Sequence, residues 1–198
     1  MSDPKPLKVV AFNGSAKIHG NTAQLIDMVL APLREAGVEC EIIQTLNARH
    51  VTGCRGCSGC KDKGRCIRAT EGDPINEWYA KMVEADGIII ASPTHYANVS
   101  VEIKSLIDRI GWMASKNGWP LRHKLGAAIA AVRRGGATNV FNAINHFYTI
   151  QEIHVVSSRY WNDGIGFAPG EVQNDEEGKM VMKTLGENMA MMLKKMNA

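Results

Sequence analysis

Four of the five cysteines in this 198-residue chain fall in one short run, Cys54-x2-Cys57-x2-Cys60-x5-Cys66. Four thiolates within 13 residues can wrap a single [4Fe–4S] cluster. Structural zinc sites usually pair two separated Cys-x2-Cys arms, which three cysteines in close succession do not supply. Disulfides are disfavoured in a cytosolic chain of this length. Free thiols, zinc and a redox disulfide remain open beside the cluster. The run is also basic, with Arg55, Lys61, Lys63, Arg65 and Arg68 against one acid, Asp62. Such charge offsets that of a thiolate-ligated cluster and lowers thiol pKa values. Cys40 lies apart, in an apolar stretch, and reads as a buried core residue.

Three further segments carry residue types suited to binding. Asn13-Gly14-Ser15-Ala16-Lys17-Ile18-His19-Gly20-Asn21-Thr22 joins an apolar run to a helical pattern. Free N–H groups at a helix start, with the Ser15 and Thr22 hydroxyls, suit a monophosphate, and His19 is placed to face it. The glycine spacing is one residue too long for a Walker A loop, and no Lys precedes Thr22. The second and third glycines of the dinucleotide fingerprint are missing. An ordinary turn capped by Asn21 or Thr22 is the competing reading. Ser92-Pro93-Thr94-His95-Tyr96-Ala97-Asn98-Val99-Ser100 brings two rings and a rigid Pro to a helix start, which suits a flat heteroaromatic ring or a packed edge turn. Arg133-Arg134-Gly135-Gly136 lets backbone approach a ligand closely.

The elements that must position these loops alternate. Strands are expected at Leu7 to Phe12, Val38 to Ile43, Gly87 to Ala91 (stopped by Ser92-Pro93), Leu125 to Val132 and Ile153 to Ser157. Helices are expected at Asn21 to Glu35, from Asp73-Pro74 (cap, then first-turn Pro) to about Glu84, and at about Ser100 to Ala114, Thr138 to Thr149 and Gly178 to Met196. Met182, Leu185, Met189, Leu193 and Met196 line one face of the last helix and read as core. All five strands read as doubly buried, so the expected fold is α/β, a parallel sheet covered by helices on both faces. Ligands then bind beyond the carboxyl ends of the strands. Residues 47–72 have no sustained periodicity and form a long inserted loop of the kind that is usually functional.

Length and composition (45% hydrophobic, 22% charged, 19 Gly, 7 Pro) suit one globular domain over 1–198. A net charge of +3, evenly spread outside the cysteine run, argues against a nucleic-acid surface. The longest apolar stretch, about eight residues, cannot span a bilayer. The start, MSDPKPLK, lacks a signal-peptide core, so a cytoplasmic location is expected. His50, His123, His146 and His154 form no metal spacing. No Ser/His/Asp set or paired carboxylates argue for hydrolysis, and no side chain is named as catalytic.

Taken together, the loops resemble those of the flavodoxin-like NAD(P)H-dependent FMN reductase superfamily, and the cysteine spacing resembles that of its iron–sulfur flavoproteins. The family's first loop, Gly-Ser-x-Arg-x-x-Gly-Asn-Thr, appears as Gly14 to Thr22, with Lys17 in place of Arg. Its second, Ser-Pro-x-Tyr-Phe/Trp-Gly-x-x-Ser, appears as Ser92 to Ser100, with His95 replacing Tyr and Ala97 replacing Gly. Ile107-Asp108-Arg109, Gly135-Gly136 and Asp175-Glu176-Glu177-Gly178 also look like the family.

The resemblance implies a five-stranded sheet of order 2-1-3-4-5 and an FMN-dependent oxidoreductase. Ser15, Lys17, Asn21, Thr22 and Ala23 would hold the FMN phosphate. Pro93, Thr94, His95, Tyr96, Ala97 and Asn98 would lie against the isoalloxazine, closed by Arg133, Gly135 and Gly136. Cys54, Cys57, Cys60 and Cys66 would ligate a [4Fe–4S] relay. NAD(P)H would be a co-substrate, a small molecule or a ferredoxin-like protein the electron partner, and the assembly a homodimer or homotetramer. Trp112, Trp119 and Trp161 fit simple packing, a flavin cover or a subunit contact.

Overall fold

The computed structural model describes residues 6–47 and 51–197. His50 and part of the inserted loop therefore lie outside the described residues. Strands β1 (Lys8–Asn13), β2 (Glu39–Gln44), β3 (Gly87–Pro93), β4 (Leu125–Val132) and β5 (His154–Val155) form a parallel sheet in the order β2-β1-β3-β4-β5. Side chains alternate across it with a period of two. Phe12, Ile88, Ile90 and Ala128 enter one core layer, while Ala11, Ile89, Ala91 and Ala127 enter the other.

Helices α1 (Asn21–Glu35) and α5 (Glu176–Met196) cover one face. Helices α2 (Ile75–Glu84), α3 (Val101–Ser115) and α4 (Ala137–Ile150) cover the other. The expected methionine stripe packs as core: Met182, Leu185, Met189 and Leu193 are buried, and only Met196 stays exposed. Each fully buried isoleucine of β3 contributes about 1.5–3 kcal/mol relative to exposure. Tyr148 of α4 pins the centre, its hydroxyl lying 3.1 Å from the carbonyls of both Ile88 and Ala127.

The sheet departs from expectation at its edges. Only β3 and β4 are buried along nearly their whole length with β1, whereas β2 is half-exposed and both residues of β5 are exposed. An edge strand has one neighbour and incomplete helix cover, so double burial cannot extend to it. β5 pairs only with Leu125 and Gly126. The far end of that β4 edge is paired by an unexpected strand, β6 (Asp163–Ile165), opposite Ala130 to Val132. That Asp-Gly-Ile segment is too short to show alternation. β3 runs through Ser92 to Pro93 rather than stopping before them, because Ser92 and Pro93 still find register partners in Ala130 and Ala131. Pro74, not Asp73, stands at the N-cap of α2, although an Asp73 oxygen does accept the Ile75 N–H. Cys40 is half-buried, its S–H donating to the Val38 carbonyl. No helix among the described residues is long and apolar enough to cross a membrane.

Candidate functional site

The three expected binding loops leave the carboxyl ends of β1, β3 and β4, side by side in the sheet. The first is fastened to the end of β2. Asn13, buried at the last position of β1, accepts the Ser15 N–H at 3.0 Å and donates to Gln44 Oε1 at 2.6 Å. Gln44 in turn donates to the Ser15 carbonyl, and the Lys17 N–H donates to Ser15 Oγ at 3.1 Å. The helix beyond begins at an extended Gly20 with no side-chain cap and no acid in its first turn. Its amide groups are therefore presented with their dipole uncompensated, beside the exposed Lys17. That arrangement fits a phosphate. Thr22 is buried and Ala23 half-buried at the same terminus.

Asn21 does something else with its side chain. Its Nδ2 donates to the Ala168 carbonyl at 3.0 Å, and its Oδ1 accepts the Gly170 N–H at 2.8 Å. What it offers the first loop is its main chain. The clasped segment is further fixed by Glu171, which accepts the Phe167 and Ala168 N–H groups at 2.6 and 2.9 Å. Those two bonds hold its carboxyl below the usual range.

The second loop is a tight hairpin. His95 and Asn98 exchange both backbone hydrogen bonds, at 2.9 and 3.0 Å, around Tyr96 (φ 48) and Ala97 (φ 58). Two successive left-handed residues define the mirror-image turn that usually takes glycine or asparagine. Thr94 binds the Ala131 carbonyl through both its N–H (2.8 Å) and its hydroxyl (3.0 Å), which ties the hairpin to β4. His95 and Tyr96, the two rings expected to face a ligand, are exposed at the tip. Pro93 and Thr94 are half-buried at its base.

Gly136 brings the third loop against the second. At φ +91, an added Cβ would lie 3.0 Å from the Cα and Cβ of Ala97 and 3.3 Å from Thr94. Arg133 lies over the Phe167 ring, 4.3 Å from its centroid. Arg134, Gly135 and Gly136 border a cavity of about 300 Å³ whose other wall holds Tyr160, Trp161 and Asp163. Burial, then the Asp175 and Glu177 charges, push the Asp163 carboxyl upward.

All four clustered cysteines line one small cavity of about 30 Å³, together with Arg109, Trp112 and Met113. Cys54 and Cys57 are exposed, Cys66 is half-buried and Cys60 is buried. Burial pushes the Cys60 thiol up, whereas a Gly59 N–H and the Arg68 guanidinium lower that of Cys57. Among the described residues no three His, Cys, Asp or Glu side chains are gathered closely enough to hold a metal. The donor set is thus brought to one cavity but not closed into a cage. Its chemistry, four sulfurs with cationic neighbours, fits an iron–sulfur cluster.

A sequence model of the NADPH-dependent FMN reductase family matches residues 7–168. The chain belongs to that family. Within it, the relatives are iron–sulfur flavoproteins. One from Methanocaldococcus jannaschii is 35% identical over 195 residues, covering 95% of this chain and 98% of its own. Another, from Methanosarcina thermophila, is 30% identical over 183 residues and 91% of each chain. A solved flavodoxin from the domain Archaea superposes with a TM-score of 0.62 at 14% identity, over 95% of this chain and 99% of its own. The fold is flavodoxin-like, and the chain, similar to iron–sulfur flavoproteins, is a flavin-dependent oxidoreductase.

Sequence reasoning missed Gln44, Asp73 as more than a cap, and Tyr160 and Asp163 beside Trp161, which it offers as a flavin cover. Gln44 had a signal of a kind: it is the register partner of Asn13. Reading it required knowing how β1 and β2 align.

Proposed function

We propose that this flavoprotein takes reducing equivalents from NAD(P)H onto FMN and passes them to a flavin, a quinone or another small acceptor, with a [4Fe–4S] cluster at Cys54, Cys57, Cys60 and Cys66 as one-electron relay. When bound, the flavin supplies hydride acceptance and stepwise electron release, and the cluster supplies single-electron steps. The chain's own residues bind and orient. The uncapped start of α1, with Ser15, Thr22 and Lys17, holds the FMN phosphate. Pro93 to Asn98 and Gly135 to Gly136 receive the ring between two loops already in contact.

The observation that carries the relay is that, among the described residues, four cysteines and no carboxylate or histidine line one cavity beside a buried guanidinium. Ser100 caps α3 at the base of the hairpin, and Arg109 borders the cysteine cavity on the same helix. Nine residues of rise separate them, about 13 Å.

A second reading is favoured by the exposure of Arg55 and Arg68, which line that cavity, and of Lys61, Lys63 and Arg65 in the same run. A basic surface suits an acidic, ferredoxin-like protein as the electron partner, with little NAD(P)H turnover. The test is an absorption spectrum of anaerobically purified protein with iron and sulfide assayed on the same sample. NADPH is then added under the same conditions. Flavin bands with a sulfur-to-iron shoulder and about four irons per chain support the relay. Rapid bleaching by NADPH supports the reductase, whereas reduction only through a ferredoxin, weakening steeply with salt, supports the carrier. Absence of flavin with no FMN uptake refutes both.

A further inference from the structure

Arg109 is buried in the middle of α3. Its Nη1 lies 2.6 Å from Asp73 Oδ2, and both side chains are almost fully enclosed, at 3% and 2% exposure. The same nitrogen donates to the Thr52 carbonyl at 3.4 Å, and Nη2 donates to Cys66 Sγ at 3.3 Å. Asp73 is itself fixed, because its other oxygen accepts the Ile75 N–H at 3.1 Å at the start of α2. Asn76 clamps the Cys66 main chain, accepting its N–H at 2.7 Å and donating to its carbonyl at 3.2 Å. Cys66 is therefore held by side chains from two helices that flank the cysteine run without belonging to it.

A buried ion pair is weak evidence for stability, since well-packed apolar residues often serve as well. Here the guanidinium also has a second target, the sulfur. A guanidinium carries its charge throughout the accessible pH range. The positive end of the pair faces Cys66 and the negative end faces away toward α2.

We infer that Arg109, held by Asp73, is a positioning residue that presents a fixed hydrogen bond and positive charge to the Cys66 sulfur and so sets the reduction potential at the cysteine cavity. The inference rests on the cluster reading. Donors and cations beside a ligating sulfur stabilise the more negative, reduced state and raise the potential.

The test uses anaerobically purified holoprotein, assayed for iron, sulfide and FMN, with the cluster followed by electron paramagnetic resonance through a redox titration. The variant is the double substitution Asp73→Asn/Arg109→Gln, which leaves net charge unchanged and no uncompensated buried ion. It keeps its FMN and iron, while its ratio of reduced to oxidised cluster at a given potential falls at least tenfold, about 59 mV for a one-electron couple. Arg109→Lys keeps the charge but loses the forked reach to both partners, and shifts the ratio the same way by less. If the double variant loses iron, the lysine variant carries the measurement. A purely structural ion pair moves thermal stability without moving the potential. An unshifted potential in a variant that retains iron overturns the inference and leaves the cluster standing. Iron-free wild-type protein overturns the cluster reading and the inference with it.

Discussion

Replacing Gly136 with alanine tests the contact between the second and third loops, and Gly37 provides an internal control. Both glycines are left-handed, at φ +91 and +84, but an added Cβ meets Ala97 and Thr94 at Gly136 and nothing within 4 Å at Gly37. An L residue in this conformation costs about 1–2 kcal/mol, of which the stiffer unfolded chain returns about 0.4–1 kcal/mol. Gly37→Ala therefore loses about 1 kcal/mol, and its Tm falls by about 3 °C at this chain length. Gly136→Ala adds overpacking, worth about 1–3 kcal/mol more. Ala97 cannot recede freely, because it is left-handed itself and locked in the His95–Asn98 pair. The Tm of Gly136→Ala then falls by about 9 °C.

The two variants also separate stability from binding. Pushing the loops apart weakens FMN binding at least tenfold in Gly136→Ala, about 1.4 kcal/mol. Gly37 lies at the far end of α1, so Gly37→Ala leaves affinity unchanged. Thermal unfolding followed by circular dichroism gives the first quantity, and flavin-fluorescence titration of the stripped protein gives the second. Equal losses of Tm refute the close approach. A large loss of Tm with wild-type FMN affinity refutes the placing of the flavin between these loops.

Gln44→Ala releases the Ser15 carbonyl and leaves the buried Asn13 amide without its acceptor, so FMN affinity falls about tenfold, measured by the same titration, and the unfolding temperature falls by about 3 °C or more. Glu171 has a lowered carboxyl pKa in the folded state, so its stabilisation of the 166–171 segment is present above the unfolded value of about 4.3 and disappears as pH falls through the folded one. Glu171→Gln lacks this stabilisation at neutral pH, and amide exchange at Phe167 and Ala168 is faster than wild type at pH 6 but converges with it under acid. Tyr148→Phe removes the hydroxyl shared by the Ile88 and Ala127 carbonyls, costs about 1 kcal/mol and leaves FMN content unchanged, as denaturant unfolding and flavin extraction will show.

Local chemistry along the chain was enough to read the alternation of strands and helices. The apolar runs at β1, β3 and β4, the 3.6-residue spacing of α1 and α5, and the Gly-rich turns between them are all decided within a few residues. The same short range made the four cysteines legible as one donor set and the segment from Gly14 to Thr22 as a phosphate loop. Edges were not legible in that way. Whether β2 is buried depends on having no strand beyond it, and β6 takes up the end of the β4 edge that the short β5 leaves open.

Tertiary structure decided what the side chains do. Asn21 reads as a phosphate ligand by position, yet its amide clasps a segment 147 residues away. His95 and Tyr96 read as ring partners, and a turn with two left-handed residues at Tyr96 and Ala97 sets both rings at the exposed tip of the hairpin. Arg109 reads only as part of the family-like Ile107-Asp108-Arg109 segment, with no role of its own, until packing sets it 3.3 Å from a cysteine sulfur 43 residues earlier. Periodicity and turn chemistry are properties of neighbours in the chain. Hydrogen-bond partners and buried charge are set by register and layer packing, which join residues that the sequence keeps far apart.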